Sequence, residues 1–293
     1  MQSAHVQEAA ACLAQIAAEH ELIVTRGNGP QVGLLALQSE AYESVSPYPL
    51  DVLGAESEGM VGYMLEQALR NRLPGRTVAT LLTQVLVDPQ DPAFDRPSKP
   101  IGPTYTREQA LRIAAQREVS VAQDGEAWRR VVPSPEPRSI VEVDAVRLLV
   151  DAGAIVICAG GGGVPVARDS HGALHGLEAV IDKDLAACLL ARELDAQALL
   201  LLTDVPFIEL NRGTAAARPL WHATPTQLRK LGLPAGSMGP KAEAAARFAE
   251  AGGVAVIARL DDASAALAQQ TGTVVRPAAP SSQATDASFA RIA

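Results

Sequence analysis

The sequence predicts an α/β protein built on a mainly parallel sheet with helices covering both faces. Three observations predict it. Short continuous apolar runs recur along the chain: "ELIVT", "TVATLLTQVLV", "AIVICA", "ALLLLTDV" and "VAVIARL". Runs without polar alternation belong to strands buried on both faces. Between them lie stretches with apolar residues at helical spacing, as parallel crossovers require. Finally, glycine-rich polar segments follow several of the strands, the place where open parallel sheets receive ligands.

Taken in order, Val6, Ala9, Ala10, Leu13, Ile16 and Ala17 mark an opening amphipathic helix that needs a sheet to cover. Residues 21–25 then form a short buried strand, and "RGNGPQVGLLALQSEAY" a glycine-rich turn that runs into a second helix. A third helix spans about 55–69 and a strand 77–87. From 88 to about 137 the texture changes, because "DPQDPAFDRPSKPIGPTY" and "VVPSPEPRS" concentrate prolines that central strands exclude. That stretch reads as a small protruding subdomain with a short helix inside it. The alternation resumes with a helix near 141–152, a strand at 154–159, a helix after Lys183, a strand at 198–205, a helix at 241–251 and a strand from 254. One domain therefore covers residues 1–275. Residues 276–293, rich in Pro, Ser and Ala, read as a flexible tail.

Composition narrows the function classes. With 293 residues, 48% of them apolar, the chain can bury a large single core. A net charge of −8 and an aromatic content of 3% argue against a nucleic-acid surface, which needs cations and stacking rings. No run reaches the roughly 18 apolar residues of a membrane span, and the first twenty residues lack the basic flank and cleavage site of a signal peptide. Three cysteines without C-x-x-C spacing fit a reducing compartment. The expectation is a cytoplasmic protein that binds neither nucleic acid nor membrane.

Two segments could hold an anion. "TRGNGPQVG" and the four glycines of "CAGGGGVPV" each offer successive backbone N–H groups beyond a strand end; the plainer reading of either is a tight turn. Neither fits a dinucleotide fingerprint or a P-loop. Lysine usage is sharper, since among 25 basic residues the lysines are only Lys99, Lys183, Lys230 and Lys241. A chain so biased toward arginine keeps lysine where a compact, mobile ammonium is needed. Lys230 reads as an ordinary solvated helix end, whereas Lys99, Lys183 and Lys241 are bracketed by Gly, Pro or Asp near the predicted rim. Paired lysines and a metal suit phosphoryl transfer, which rests on alignment and charge neutralisation. Asp182 and Asp184 could orient Lys183 or hold Mg2+, and they could equally cap the following helix. The five histidines show no ligand spacing, and His171 and His175 read as an exposed loop.

In this order, "TRGNGPQVG", "GAESEGMVGYM", "TQVLVDPQDPAF", "SKPIGP", "WRRVVPSPEP", "CAGGGGVPV", "GLEAVIDKDLAA", "LLTDV" and "AGSMGPKAEAAARF" resemble the carbamate kinases of the amino-acid kinase fold, over about residues 6–275. The resemblance implies a three-layer αβα kinase with a protruding subdomain. It also implies a homodimer converting Mg-ATP and carbamate to ADP and carbamoyl phosphate, commonly run toward ATP in arginine or related nitrogen catabolism. By the same resemblance, Gly27, Asn28 and Gly29 with Gly160, Gly161, Gly162 and Gly163 line the carbamoyl phosphate site. Lys183 and Lys241 neutralise the transferred group, Asp184 holds them in place, Lys99 reaches in from the subdomain, and Asp204, Ser237 and Met238 receive the nucleotide.

There are departures from the family pattern. Carbamate kinases ordinarily open with a strand and a "GGNA" loop, and nothing here corresponds to either, which predicts unpaired backbone inside the sheet. Arg26 stands where the family usually has His, and "TDVPFIELNRG" departs from the usual "TDVD" and its aromatic neighbours. Two other readings are a truncated or non-catalytic relative serving as a dimer partner, and another acylphosphate-forming kinase. The latter would need a pocket for an amino or carboxylate group, for which no dedicated residues stand out.

Overall fold

The computed structural model describes residues 2–28, 31–42, 44, 46–234, 236, 238–277 and 291–292. It opens with α1 (Gln2–Ala17), β1 (Glu21–Val24), α2 (Gln31–Ala41), α3 (Leu50–Arg72) and β2 (Val78–Thr80). Then come β3 (Gln84–Val87), β4 (Lys99–Tyr105), α4 (Arg107–Arg117), β5 (Val121–Asp124), β6 (Ala127–Val132) and β7 (Pro137–Ile140). The middle of the chain forms α5 (Val143–Asp151), β8 (Ile155–Ile157), β9 (Val164–Arg168), β10 (Leu174–Gly176), α6 (Lys183–Glu193) and β11 (Ala198–Thr203). It continues through β12 (Ile208–Leu210), β13 (Arg218–Leu220), β14 (His222–Ala223), α7 (Pro225–Lys230) and α8 (Met238–Glu250). The last elements are β15 (Val254–Arg259), α9 (Ala263–Leu267), β16 (Thr273–Val275) and β17 (Arg291–Ile292).

The main sheet has eight strands in the order β14-β16-β15-β11-β17-β1-β8-β2. Its pairs are parallel except β15 with β16. Alternation along the strands sends side chains into two layers. Leu22, Val24, Ile155 and Ile157 pack with α1, α3 and α9 on one face. Ile23 and Val156 pack with α5 and α6 on the other. The three-layer α/β fold read from the apolar runs is therefore the observed one.

Several elements differ from the sequence reading. The run 77–87 is not one strand but two in different sheets, since β2 belongs to the main sheet and β3 to a four-stranded sheet ordered β10-β9-β3-β7. Leu81 N still donates to Ile157 O at 2.9 Å, but two residues later Thr83 N turns to the Glu58 carboxylate. Both halves are apolar, so hydrophobicity alone could not mark the break. The third helix starts at Leu50, earlier than expected. His175 lies on an exposed hairpin strand, β10, rather than in a loop.

Residues 99–132 build a three-stranded antiparallel sheet, β4-β6-β5, with α4 against it. Pro100 and Pro103 sit on its edge strand β4, where a missing N–H breaks no ladder. This unit meets α2 at a glycine contact: a Cβ on Gly33 would lie 2.0 Å from Gly102 Cα, so neither helix nor strand could approach so closely with a side chain there.

The expected tail needs correction at one place. Residues 278–290 lie outside the described residues, but Arg291–Ile292 are strand β17 inside the main sheet. Leu22 and Ala198 both pair with Ile292, whose side chain is 1% exposed. The sheet interior, where unpaired backbone was predicted, is bridged there by β17.

Candidate active site

The carboxyl ends of β1, β8 and β11 open on one cavity of about 600 Å³, with β4 forming another wall. Gly27 and Asn28 follow β1, Gly161 lies in the short helical turn after β8 and Gly163 just past it, and Asp204 follows β11. The rim expected from parallel topology is thus a single space.

Its cations stand in unusual places. Lys183 is the first residue of α6 and Lys241 lies in the first turn of α8. A helix N-terminus carries partial positive charge and disfavours a cation, so each lysine breaks a local preference. Nearby carboxylates offset this. Asp182 caps α6, its Oδ1 accepting from Asp184 N at 2.9 Å and Leu185 N at 3.3 Å. Its Oδ2 accepts from Lys99 Nζ at 2.6 Å, which ties β4 to the helix. Burial alone would raise the Asp182 pKa, but Lys99 and the two N–H groups hold it below the usual carboxylate value. The capping reading of Asp182 is the observed one, but the lysine it hydrogen-bonds is Lys99 rather than Lys183.

Lys241 Nζ donates to Asp184 Oδ1 at 2.7 Å, and both side chains are about nine-tenths buried. Lys183 has no hydrogen-bond partner among the described residues. Its ammonium lies over Gly27, where an added Cβ would come within 3.2 Å of Nζ. Desolvation and then Lys241 lower the Lys183 pKa against the pull of Asp184 and Asp182. The result is one paired ammonium and one uncommitted ammonium close together, open to the cavity. Such a pair can neutralise a multiply charged oxyanion.

The four glycines behave differently from the expectation that their N–H groups face a ligand. Gly160 N donates to Glu58 Oε1 at 2.9 Å, Gly161 N to Arg26 O at 2.7 Å, Gly162 N to Ala159 O and Gly163 N to Gly160 O. Their N–H groups are used inside the protein. The missing side chains serve close packing: a Cβ on Gly161 would lie 2.2 Å from Asn28 Nδ2, and one on Gly162 would lie 2.5 Å from Ile181 O. Gly161, Gly162 and Gly163 also adopt positive φ. Gly161 and Gly163 line the cavity, while Gly160 and Gly162 stand behind that wall.

At the other end of the cavity lie Asp204, Val205, Arg212, Met238 and Pro240. Thr203 Oγ1 donates to Asp204 Oδ1 at 3.1 Å. Phe207 and Trp221 pair with ring centroids 5.2 Å apart, but neither lines the cavity. Gly29 and Ser237, both expected at the site, lie outside the described residues. Arg26 turns away from the cavity: it donates to Asn28 Oδ1 at 2.7 Å and to the Glu58 carbonyl. Among the described residues, no group of three or more His, Cys, Asp or Glu could hold a metal ion by itself.

Sequence reasoning passed over Ser57, Glu58 and Arg212. For the first two, a signal existed, since "GAESEGM" places polar residues inside an otherwise buried helix face.

The chain is similar to known proteins along most of its length. The amino acid kinase family model matches residues 2–258. A carbamate kinase from Haemophilus influenzae is 51% identical over 263 residues, covering 89% of this chain and 85% of the relative. One from Rhizobium meliloti is 49% identical over 279 residues, covering 94% and 86%. The structure of a carbamate kinase from Giardia lamblia bound to AMP-PNP superposes with a TM-score of 0.85 at 39% identity, covering 94% of this chain and 91% of that one.

Proposed function

The chain belongs to the amino acid kinase family and, within it, to the carbamate kinases, and on that premise we propose how its cavity works. The enzyme is a phosphotransferase acting on a carboxyl group, and its reaction is ATP + carbamate = ADP + carbamoyl phosphate. Little covalent work falls to the protein in such a transfer; it must align two anions and offset the charge on the moving group. The observation that carries the site assignment is the convergence of Lys183 and Lys241 from two helix N-termini, with Asp184 paired to Lys241 at 2.7 Å.

In this reading Lys183, uncommitted and lying over Gly27, takes the transferred phosphoryl oxygens, and Lys241 neutralises them from the other side. Asp184 fixes the position of Lys241. Lys99, anchored on Asp182, closes the site from β4. Gly27, Asn28 and Gly29, with the wall of Gly160, Gly161, Gly162 and Gly163, shape the carbamoyl phosphate end. Asp204, Ser237 and Met238 receive the nucleotide. Mg2+, carried by the nucleotide, would offset the charge of its phosphates, and Asp204, which lines the cavity, is the protein carboxylate that would meet it there.

Three broader readings accompany this one. The physiological direction is toward ATP, in arginine or related nitrogen catabolism. The enzyme is a homodimer, supported by Val52, Met60 and Tyr63, which expose apolar surface along α3. It works in the cytoplasm; no helix among the described residues is long and apolar enough to cross a membrane. The test is ATP formation from Mg-ADP and carbamoyl phosphate by the purified chain, with Lys241→Ala as the blank. Enzyme-dependent ATP above that blank supports the reading. Its absence from a folded chain refutes it and favours the non-catalytic relative.

A further inference from the structure

Of the motif "GAESEGM" only Gly54 lines the cavity, yet the motif holds two of the few polar side chains buried among the described residues. Ser57 is 0% exposed and Glu58 1%. Placing a carboxylate there is costly unless its oxygens are satisfied, and each oxygen has a defined partner. Glu58 Oε1 accepts from Gly160 N at 2.9 Å and Oε2 from Thr83 N at 3.3 Å. The same residue's carbonyl accepts from Arg26, whose other terminal nitrogen donates to Asn28 Oδ1 at 2.7 Å. Ser57 Oγ accepts from Asn28 Nδ2 at 2.6 Å. Thr83 Oγ1 completes the frame by accepting from Ala159 N at 2.9 Å.

One step of α3 therefore touches the segment after β1, the glycine turn after β8 and the break between β2 and β3. Those first two segments make the carbamoyl phosphate end of the cavity. We propose that Glu58 is a positioning residue for that end: its carboxylate fixes the turn Gly160–Gly163 against Thr83, while its carbonyl, through Arg26 and Asn28, braces the wall on which carbamoyl phosphate sits. This rests on the carbamate kinase reading for the identity of the ligand, but the geometric part stands without it.

The network needs acceptors on both carboxylate oxygens, which the ionised form supplies. Burial pushes Glu58 up to about 7, against the N–H groups of Gly160 and Thr83 and the Arg26 guanidinium, which favour the charged form. The titratable groups facing it are Arg26, itself lowered to about 10 by burial, and the Cys158 thiol, which burial keeps neutral. On taking a proton, one oxygen becomes a donor facing an N–H donor. The turn then loses a charge-assisted bond as pH falls through about 7.

The test is Glu58→Gln, which keeps the shape but places an amide NH2 against one of the two N–H donors. Losing a bond to a charged group predicts a KM for carbamoyl phosphate raised by about tenfold or more, with the KM for ADP within about twofold. In the wild type, the KM for carbamoyl phosphate should climb as pH drops from about 8 to 6, and in the variant that climb should vanish. Equal rises in both KM values, or an unchanged KM for carbamoyl phosphate, overturn the proposal. Hydrogen exchange in residues 159–163 reads the same event without turnover. Faster exchange there, with β15 unchanged, supports the proposal, and unchanged exchange there refutes it even if the wild-type chain makes no ATP. No ATP from the wild type would count against the kinase reading alone.

Discussion

Replacing Lys241 with methionine keeps the length of the side chain and removes its charge. In the native protein its ammonium and Asp184 Oδ1 are 2.7 Å apart, with both groups about nine-tenths buried. At that separation, and an effective dielectric of about 20, the attraction is roughly 6 kcal/mol. Most of it is offset by the cost of taking both charges from water, so the intact pair contributes little net stability. Losing only one partner is different, because Asp184 is left buried and unpaired, at a cost of about 3 kcal/mol. Lys241→Met should therefore lower the melting temperature measurably, and Lys241→Met with Asp184→Asn should recover most of that loss.

Activity should not follow stability. If Lys241 neutralises the transferred group, its removal costs roughly 100-fold to 1000-fold in kcat, the scale for one transition-state donor, and the double variant should stay as slow. The assay is ATP formation from Mg-ADP and carbamoyl phosphate, run beside thermal melts of the same preparations. A double variant that regains both stability and turnover would refute the reasoning, because Lys241 would then serve only to balance Asp184.

Gly162→Ala should destabilise the fold by roughly 2 kcal/mol or more, since φ is +100° and the new Cβ would lie 2.5 Å from Ile181 O; Gly172→Ala, also at positive φ but with open space around it, should cost about 1 kcal/mol, and equal losses in thermal melts would sink the packing argument. Ile292→Ala removes most of a side chain that is 1% exposed and should cost about 2 to 5 kcal/mol in denaturant unfolding; a change under about 0.5 kcal/mol would mean that β17 does not hold the sheet. Asp182→Asn keeps a cap for α6 but breaks the ion pair with Lys99. The Asp182 carboxyl titrates lower in the folded protein, so its contribution is present above the unfolded value near pH 4 and lost as pH falls through the folded value. The stability gap between wild type and variant should therefore shrink in acid, and a gap unchanged between about pH 6 and 3 would contradict the assignment.

The sheet and the cations were legible because their signals are local. Five apolar runs name the strands of a covered parallel sheet, and a parallel sheet gathers its strand ends on one rim. Lys99, Lys183 and Lys241 stood out because the chain otherwise uses arginine and because Gly, Pro or Asp bracket each of them. What the sequence hid was relational. Nothing in "TVATLLTQVLV" tells that Thr83 leaves the sheet, because the cause is Glu58, 25 residues earlier. Four glycines in a row signalled close approach correctly, but not that the neighbours are Arg26, Asn28, Ile181 and Val85 rather than a ligand. A residue without a side chain records that something is near, and cannot record what.

The position of β17 bears on how the two halves of the site keep their distance. The segment with Gly27 and Asn28 leaves β1, and Asp204 leaves β11; these strands are not neighbours, because Ile292 pairs with Leu22 on one side and Ala198 on the other. Strands in a sheet lie about 4.8 Å apart, so β17 holds the amino ends of β1 and β11 roughly twice that far apart. The pairing reaches only Glu21 and Leu22 of β1 and Ala198 of β11. Toward the carboxyl ends, from which Gly27, Asn28 and Asp204 follow, no strand among the described residues pairs between them. Ile292, packed with Leu22, Ile155 and Ala198, therefore anchors the side of the sheet away from the cavity, and it bears on the rim only through the strands it holds apart.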